Sequence, residues 1–211
     1  MSSAGKLKIW GRKNSINVMK VLWTCEELGL PYDRVDVGGP FGGTHDDAYL
    51  AMNPNARVPT IQDGALTLWE SNVCVRYLAH KYGHPGLWPA DDATRWRAEQ
   101  WMDWQQTTLN VELSPLFWQL IRTPKAEQDP AKIEAARRAS ENNFALLDAH
   151  LARNDFLAGK AFTMGDIPAG CSTYRWLHFA IERPRHRNVE AWYERLTQHE
   201  GYRKHIMNPM T

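Results

Sequence analysis

Cysteine is scarce in this sequence, and its three thiols, Cys25, Cys74 and Cys171, lie far apart without forming a C-x-x-C pair. This spacing argues against a disulfide framework and against a cysteine-based zinc site. It is typical of a protein from a reducing compartment. We expect Cys25 and Cys74 to be core thiols rather than nucleophiles.

The sequence also lacks long apolar runs and an excess of either charge. No apolar run reaches 18 residues, and the first 20 residues lack an apolar segment of signal-peptide length. The 25 Lys and Arg residues nearly balance the 24 Asp and Glu residues. We therefore expect a cytoplasmic protein that binds neither membranes nor nucleic acid.

The first third of the chain alternates between strand and helix patterns. A short apolar run ends at Gly11, apolar residues then recur at helical spacing, and a second alternating run follows. Turn chemistry at Asp63-Gly64 joins two further apolar runs into a hairpin. The predicted strands are 7–10, 32–37, 58–61 and 66–69, and the predicted helices are 16–28 and 71–82. The order is therefore β-α-β followed by β-β-α.

Beyond Gly83 the patterns become helical. Long helices are predicted over 94–122, 130–152 and 168–181, and a shorter helix over 188–198. We therefore expect an α+β protein with a first domain over 1–83, a linker over 84–89 and an all-helical domain over 90–211.

Several short motifs follow one another along the chain: Ser15-Ile16-Asn17-Val18, Asn53-Pro54, Arg57-Val58-Pro59, Glu70-Ser71 and Phe162-Thr163-Met164-Gly165-Asp166-Ile167. In this order and spacing they resemble the glutathione transferase family over essentially the whole chain. The resemblance implies a thioredoxin-like domain that binds glutathione, a helical-bundle domain that helps to hold a second substrate, and a homodimer. Ser15 is placed as in theta-type enzymes, and the Ser-x-Asn pair resembles the Thr-x-Asn of bacterial nu-type enzymes.

The resemblance gives Ser15 and Asn17 a catalytic role. Both lie at a helix N-terminus, where free N–H groups favour an anion. The Ser15 hydroxyl and the Asn17 amide can each donate a hydrogen bond to a glutathione thiolate. Taken locally, a plain helix N-cap is the better explanation of either residue. The wider pattern of motifs reverses this for Ser15 and leaves Asn17 evenly divided between the two roles.

Two further motifs are expected to bind the glutathione peptide. The backbone of Val58, which precedes Pro59, can pair with the cysteinyl backbone, as in the family's cis-proline dipeptide. Glu70 can accept from the γ-glutamyl ammonium, and Ser71 with the helix that it opens can hold the adjacent carboxylate. An edge-strand proline and an ordinary N-cap are the local alternatives.

The remaining charge of glutathione, its glycyl carboxylate, is assigned to His45 or Arg57. Theta-type relatives carry a histidine and a lysine at these places. For the second substrate we expect an apolar pocket between the domains, lined by Trp104, Leu113 and Phe117 from the long helix. The alternative for these three is ordinary core packing.

Two other patterns are excluded from the site. Thr163 and Asp166 form a capping-box variant, which we interpret as structural. His80 and His84 have i, i+4 spacing, but Gly83 intervenes and no H-E-x-x-H motif occurs, so no metal site is predicted.

The leading functional hypothesis is therefore a detoxifying glutathione transferase that activates the glutathione thiol for attack on a hydrophobic electrophile. A glutathione-dependent disulfide reductase, as the nu-type pattern implies, is the first alternative. A non-catalytic interaction protein with this fold is the second.

Overall fold

The computed structural model describes residues 6–83 and 86–211. His84 and part of the predicted linker therefore lie outside the described residues. The division of the chain into 1–83 and 90–211 stays a prediction.

The first part of the chain forms one mixed sheet with helices packed against it. Its elements are β1 (Leu7–Trp10), α1 (Ile16–Glu27), β2 (Tyr32–Val35), α2 (Asp47–Leu50), β3 (Thr60–Asp63), β4 (Leu66–Trp69) and α3 (Ser71–Tyr82). The strand order is β2-β1-β3-β4, in which β1 and β2 are parallel and β3 runs antiparallel to both neighbours. A parallel pair needs a crossover, which α1 provides. The predicted βαβ-ββα domain is confirmed.

Helix α1 ends where the sequence predicts a stop. Gly29 has a φ of 61°, a left-handed conformation that suits glycine. The Leu30 amide donates to the Cys25 carbonyl at 2.9 Å, and the Gly29 amide donates to Glu26 at 3.1 Å. These bonds satisfy the last carbonyls of the helix in the manner of a Schellman motif.

Several local boundaries differ from the prediction. β2 ends at Val35 rather than at residue 37, although the Val37 carbonyl still accepts from Arg12, and β3 covers Thr60–Asp63 rather than 58–61. The segment after β2 contains a 3₁₀ turn, Gly39–Phe41. Helix α2 was not predicted, because a four-residue helix is too short to show a period.

The second part of the described chain is helical. Its elements are α4 (Asp92–Trp104), α5 (Asn110–Phe117), α6 (Pro130–Leu151), α7 (Asp166–His178), α8 (Arg187–Thr197) and α9 (Glu200–His205). The predicted single helix over 94–122 is instead α4 and α5 with two π-helical turns, Gln105–Leu109 and Trp118–Arg122. Pro115 lies inside α5, where it withholds an N–H from the helical ladder. Each π turn changes which side chains face a neighbour.

Helix α1 is buried on two sides. Towards the sheet it contributes Val18, Val21, Leu22 and Cys25 to the core of the first domain. Towards the helices it contributes Met19 and Trp23 to the larger core. Trp23 has no exposed surface, and its ring packs edge-on against Tyr202 at 4.9 Å between centroids. Glycine at position 201 makes room for this ring, since a Cβ there would lie 2.6 Å from it.

Asp166 organises the start of α7. Its carboxylate accepts from the Leu157 and Thr163 amides, each at 2.9 Å, from the Trp192 indole at 3.0 Å and from the Thr163 hydroxyl at 3.3 Å. The side chain is fully buried. The structural role expected for the Thr163 and Asp166 pair fits these contacts.

Replacing Asp166 should therefore cost more than the loss of an ordinary cap. Asp166→Ala leaves buried donors unpaired, and we expect the free energy of unfolding to fall by about 3 kcal/mol or more in urea titrations. Asp91→Ala is the matched control, because Asp91 caps α4 at the surface through one bond from Thr94. The control should lose about 1 kcal/mol. Similar small losses in both variants would contradict this role of Asp166.

Candidate functional site

Ser15 occupies the N-cap position of α1, and its hydroxyl makes no hydrogen bond within the described residues. Its backbone is extended (φ −81°, ψ 125°), and its carbonyl accepts from the Met19 amide at 2.8 Å. The side chain makes no capping hydrogen bond and is 7% exposed. The plain N-cap interpretation requires a bond from the hydroxyl to the helix backbone, which is not made here.

The N-termini of α1 and α3 converge beside Ser15. The Ser71 hydroxyl, at the first residue of α3, donates to Asn17 Oδ1 at 3.3 Å. The Asn17 amide nitrogen has no bonding partner among the described residues. Two helix N-termini therefore present partial positive charge to the same space, which suits an anion.

Glu70, immediately before α3, adopts a strained backbone. Its φ of 67° is unusual for a residue with a side chain. Strain of this kind costs of order 1–3 kcal/mol and is concentrated at functional sites. The Glu70 side chain is exposed, and its carboxylate has no hydrogen bond or ion pair in the part of the chain that is described.

The loop before β3 is held by its own hydrogen bonds. The peptide bond between Val58 and Pro59 is cis. The Arg57 carbonyl accepts from the Tyr49 hydroxyl and from the Asn53 amide, each at 2.7 Å. Over residues 6–83 and 86–211, the Val58 N–H and C=O have no hydrogen-bond partner, so they are free to pair with an extended peptide.

Lys20 is a buried cation beneath this loop and was not anticipated from the sequence. It is 3% exposed, and its ammonium lies 3.1 Å from Asn72 Oδ1, 3.2 Å from Gln105 Oε1 and 3.4 Å from Ser71 Oγ. None of these partners is a carboxylate. Burial lowers the pKa of Lys20 to about 8. The signal in the sequence was a lysine within the apolar run of α1.

The Lys20 contacts extend into the helical part of the chain. Gln105 opens the first π turn, and its amide donates to the Ser172 hydroxyl on α7 at 3.1 Å. Asn72 donates to the Met102 carbonyl at 2.8 Å. A polar network thus connects α1 and α3 to α4, the π turn and α7.

These groups surround a cavity of about 280 Å³ whose wall is largely polar. It brings together six predicted site residues with two that sequence reasoning missed, Lys20 and Gln105. The predicted residues are Asn17, Arg57, Val58, Pro59, Glu70 and Ser71, and the remaining wall is formed by Asn53, Asn55, Gln106 and Asn110.

Two other predicted residues lie outside this wall. His45 is exposed in the turn before α2. Ser15 is not among the residues that line the cavity. Its neighbours Asn14 and Ile16 line a narrow cleft, and Asn17, two residues further on, lines the cavity.

The predicted apolar pocket residues have packing contacts instead. Leu113 and Phe117 are 2% and 6% exposed and belong to the large helical core. Trp104 packs edge-on against Trp101 at 5.0 Å. The long helix contributes Gln105, Gln106 and Asn110 to the cavity. Core packing therefore accounts for Leu113 and Phe117, and the apolar pocket for the second substrate stays a prediction.

The cysteines are core residues. Cys25, Cys74 and Cys171 are buried, and burial raises the pKa of Cys25 and of Cys171 to about 12. No group of three or more His, Cys, Asp or Glu side chains in the described ranges could hold a metal ion. Among the same residues, no helix combines the length and the apolar character that crossing a membrane requires.

Comparison with known proteins identifies the family. Residues 14–81 match the glutathione S-transferase N-terminal domain, and residues 130–195 match the glutathione S-transferase C-terminal domain. The chain is 42% identical over 207 residues to glutathione S-transferase GstB of Escherichia coli K12, which covers 97% of this chain and 100% of GstB. It is 31% identical over 209 residues to glutathione S-transferase 3 of Zea mays, covering 95% of this chain and 93% of that one.

A solved structure agrees with this result. The theta class glutathione S-transferase of Xanthomonas axonopodis pv. citri, with glutathione bound, matches with a TM-score of 0.94 and 48% identity over 97% of this chain and 99% of that chain. The chain therefore belongs to the glutathione S-transferase family, and it has that family's fold. This membership supports a transferase enzyme over the non-catalytic alternative.

The buried lysine gives a pH-dependent prediction. The pKa of Lys20 is lower in the folded protein than in the unfolded chain, so the unfolded chain binds more protons above about pH 8 and stability rises with pH. Between about pH 8 and pH 10, the free energy of unfolding of the wild type should gain about 2 kcal/mol relative to Lys20→Met.

Chemical denaturation of both proteins across this pH range measures the difference. Lys8→Met is the matched control, because Lys8 is exposed on β1. It should track the wild type at every pH. A wild type that gains nothing relative to Lys20→Met would mean that the ammonium is not desolvated.

Proposed function

We propose that this protein is a glutathione transferase that binds glutathione in the polar cavity and stabilises its thiolate for attack on an electrophile. One observation supports this proposal: four groups that have no hydrogen-bonding partner among the described residues meet at this cavity. They are the Glu70 carboxylate, the Asn17 amide nitrogen, the Val58 backbone and the first N–H groups of α3. Each has a counterpart on a tripeptide that carries one ammonium and two carboxylates.

The γ-glutamyl end fits the α3 N-terminus. Glu70 accepts from its ammonium, and Ser71 and the first N–H groups of α3 bind its carboxylate. Lys20 lies under Ser71 at 3.4 Å and adds positive charge beneath that carboxylate. Lys20 has no carboxylate among its hydrogen-bonding partners in the described chain, and the nearby Glu70 carboxylate offsets only part of its charge, so a bound anion adds counter-charge beside it.

The rest of the peptide follows the cavity wall. The cysteinyl backbone pairs with the free N–H and C=O of Val58 as an added strand. Of the two candidates for the glycyl carboxylate, Arg57 is favoured because it lines the cavity. His45 does not line it.

The thiol then points towards the start of α1. A free thiol has a pKa near 8.5, and lowering it by about 2 units requires roughly 2.7 kcal/mol. A hydrogen bond to a charged group contributes about 1.5–3 kcal/mol, so one donor is sufficient in magnitude. The Ser15 hydroxyl is that donor in our proposal, with Asn17 as the alternative.

Replacement of Ser15 tests the catalytic assignment. Ser15→Ala should lower kcat by about tenfold or more and raise the pKa of bound glutathione, because a donor to the thiolate is lost. Ultraviolet titration of the thiolate measures that pKa. Ser15→Thr, which keeps a hydroxyl, is the control and should retain most of the shift. An unchanged thiolate pKa in Ser15→Ala would transfer the role to Asn17.

Replacement of Glu70 tests the binding assignment. Glu70→Gln removes the acceptor charge for the ammonium, so the KM for glutathione should rise about tenfold while kcat changes less. Steady-state kinetics with glutathione varied at a saturating electrophile give both constants. Glu127→Gln, at an exposed acid outside the cavity wall, should leave both near wild type. A fall in kcat at constant KM would contradict the assignment.

Disulfide reduction is the alternative activity that the Ser-x-Asn pair implies. Its Asn17 lines the cavity, and the Asn17 amide nitrogen has no partner among the described residues, so this activity is compared with transfer to an electrophile. A small mixed disulfide and an aryl halide, each normalised to its uncatalysed rate with glutathione, separate the two reactions. Faster normalised turnover of the disulfide would favour the reductase.

We also propose a cytoplasmic homodimer with a role in detoxification. Exposed apolar side chains on the neighbouring helices α3 and α4 support the dimer: Val73 is 41% exposed and Trp96 is 68% exposed. The two helices are joined by ion pairs from Arg76 to Glu99 and Asp103. Such apolar surface is typical of an interface between subunits.

A further inference from the structure

Arg12, Arg122 and Arg175 come from separate parts of the chain and lie near one another. Two of them, Arg122 and Arg175, also lie beside the ring of Phe117. Arg175 of α7 places its guanidinium 3.8 Å from the centroid of the Phe117 ring, and Arg122, at the end of the second π turn, lies 5.7 Å from the same centroid. Arg12 follows β1. Burial and repulsion from Arg122 lower the pKa of Arg12, and burial together with both other arginines lowers that of Arg175 to about 10.

None of the three side chains has an anionic partner. Within the residues that the structure describes, none makes an ion pair or a side-chain hydrogen bond, and Arg12 Nε is buried without any partner. Arg76 and Arg137, in contrast, are each paired with two carboxylates. Arg122 is exposed, whereas Arg12 and Arg175 are partly buried. Partly desolvated cations grouped without counter-charge make their surroundings favourable for an anion.

The arginines lie beside the proposed position of the thiolate. The Ser15 amide donates to the Arg12 carbonyl at 3.2 Å. Arg175 lines the narrow cleft together with Asn14 and Ile16, the two neighbours of Ser15. The cleft and the Arg12 backbone thus adjoin Ser15, and a second substrate has to approach Ser15 to meet the sulfur that we position there.

We propose that Arg12, Arg122 and Arg175 form an anion subsite, and that the second substrate is an electrophile bearing a carboxylate. The proposal rests on the proposed function. Guanidinium groups bind carboxylates through paired charge-assisted hydrogen bonds, and the Phe117 ring packs against Arg175 and positions its guanidinium.

The reaction on such a substrate balances without a further reagent. With an aryl chloride, the thiolate forms a carbon–sulfur bond, the carbon–chlorine bond breaks, and chloride leaves with the electron pair. The proton of the glutathione thiol is released to solvent. The carboxylate stays in the subsite and holds the reacting carbon beside the sulfur.

The test compares para-chloro-meta-nitrobenzoate with its neutral amide, each rate divided by the uncatalysed rate with glutathione. We expect the wild type to favour the carboxylate about tenfold or more in normalised kcat/KM. Arg12→Gln and Arg122→Gln should each reduce this preference about fivefold and leave the KM for glutathione within about twofold. Arg97→Gln, at an exposed arginine of α4 outside the cluster, is the control and should keep the full preference.

The anion subsite can also be tested by a binding measurement, which does not depend on turnover. The glutathione conjugates of the two probes are titrated calorimetrically into wild type and variants, and the carboxylate conjugate should bind about tenfold tighter to the wild type only. Arg175→Gln is added here, with its melting temperature as a check on folding. Equal binding of both conjugates, or a preference that survives in Arg12→Gln and Arg122→Gln, would overturn the subsite while leaving the proposed function intact. Failure of both conjugates to bind would overturn the proposed function itself.

Discussion

The packing of α1 between two cores is the constraint on which the rest of the structure depends. One face of the helix completes the core under the sheet, and the other inserts Trp23 among α7, α9 and Phe162. A close-packed interior leaves little freedom for such an element to shift. The residues at its start, Ser15 and Asn17, are thereby held against a rigid frame rather than on a mobile loop, as a preorganised site requires.

The polar groups of the site depend on the same packing. Lys20 is buried because α1 is covered on both sides, and its ammonium reaches Asn72 on α3 and Gln105 on the π turn. A buried cation bound only to neutral oxygens makes the adjoining cavity favourable for an anion. The arginine group that includes Arg12 and Arg175 is a second set of cations without an ion pair in the described chain, and Arg12 is joined to Ser15 through its backbone carbonyl.

Periodicity was sufficient to predict the α+β fold. The six predicted residues of the cavity wall, Asn17, Val58 and Glu70 among them, came from the resemblance of several motifs to a known family, because local chemistry alone favours ordinary helix caps and an edge strand. Lys20 and Gln105 were missed, since their role depends on contacts between distant elements that no local period reports. Leu113 and Phe117 were expected to line an apolar pocket for the second substrate, with core packing as the alternative, and they lie in the helical core. Spacing defines a face but not its neighbour.

The most direct test of the account is a crystal structure of the protein with glutathione bound. We predict the γ-glutamyl group between Glu70 and the α3 N-terminus, the cysteinyl backbone paired with Val58, and the sulfur within hydrogen-bonding distance of the Ser15 hydroxyl or the Asn17 amide. Glutathione bound away from these groups, or with its sulfur remote from both donors, would contradict the central claim.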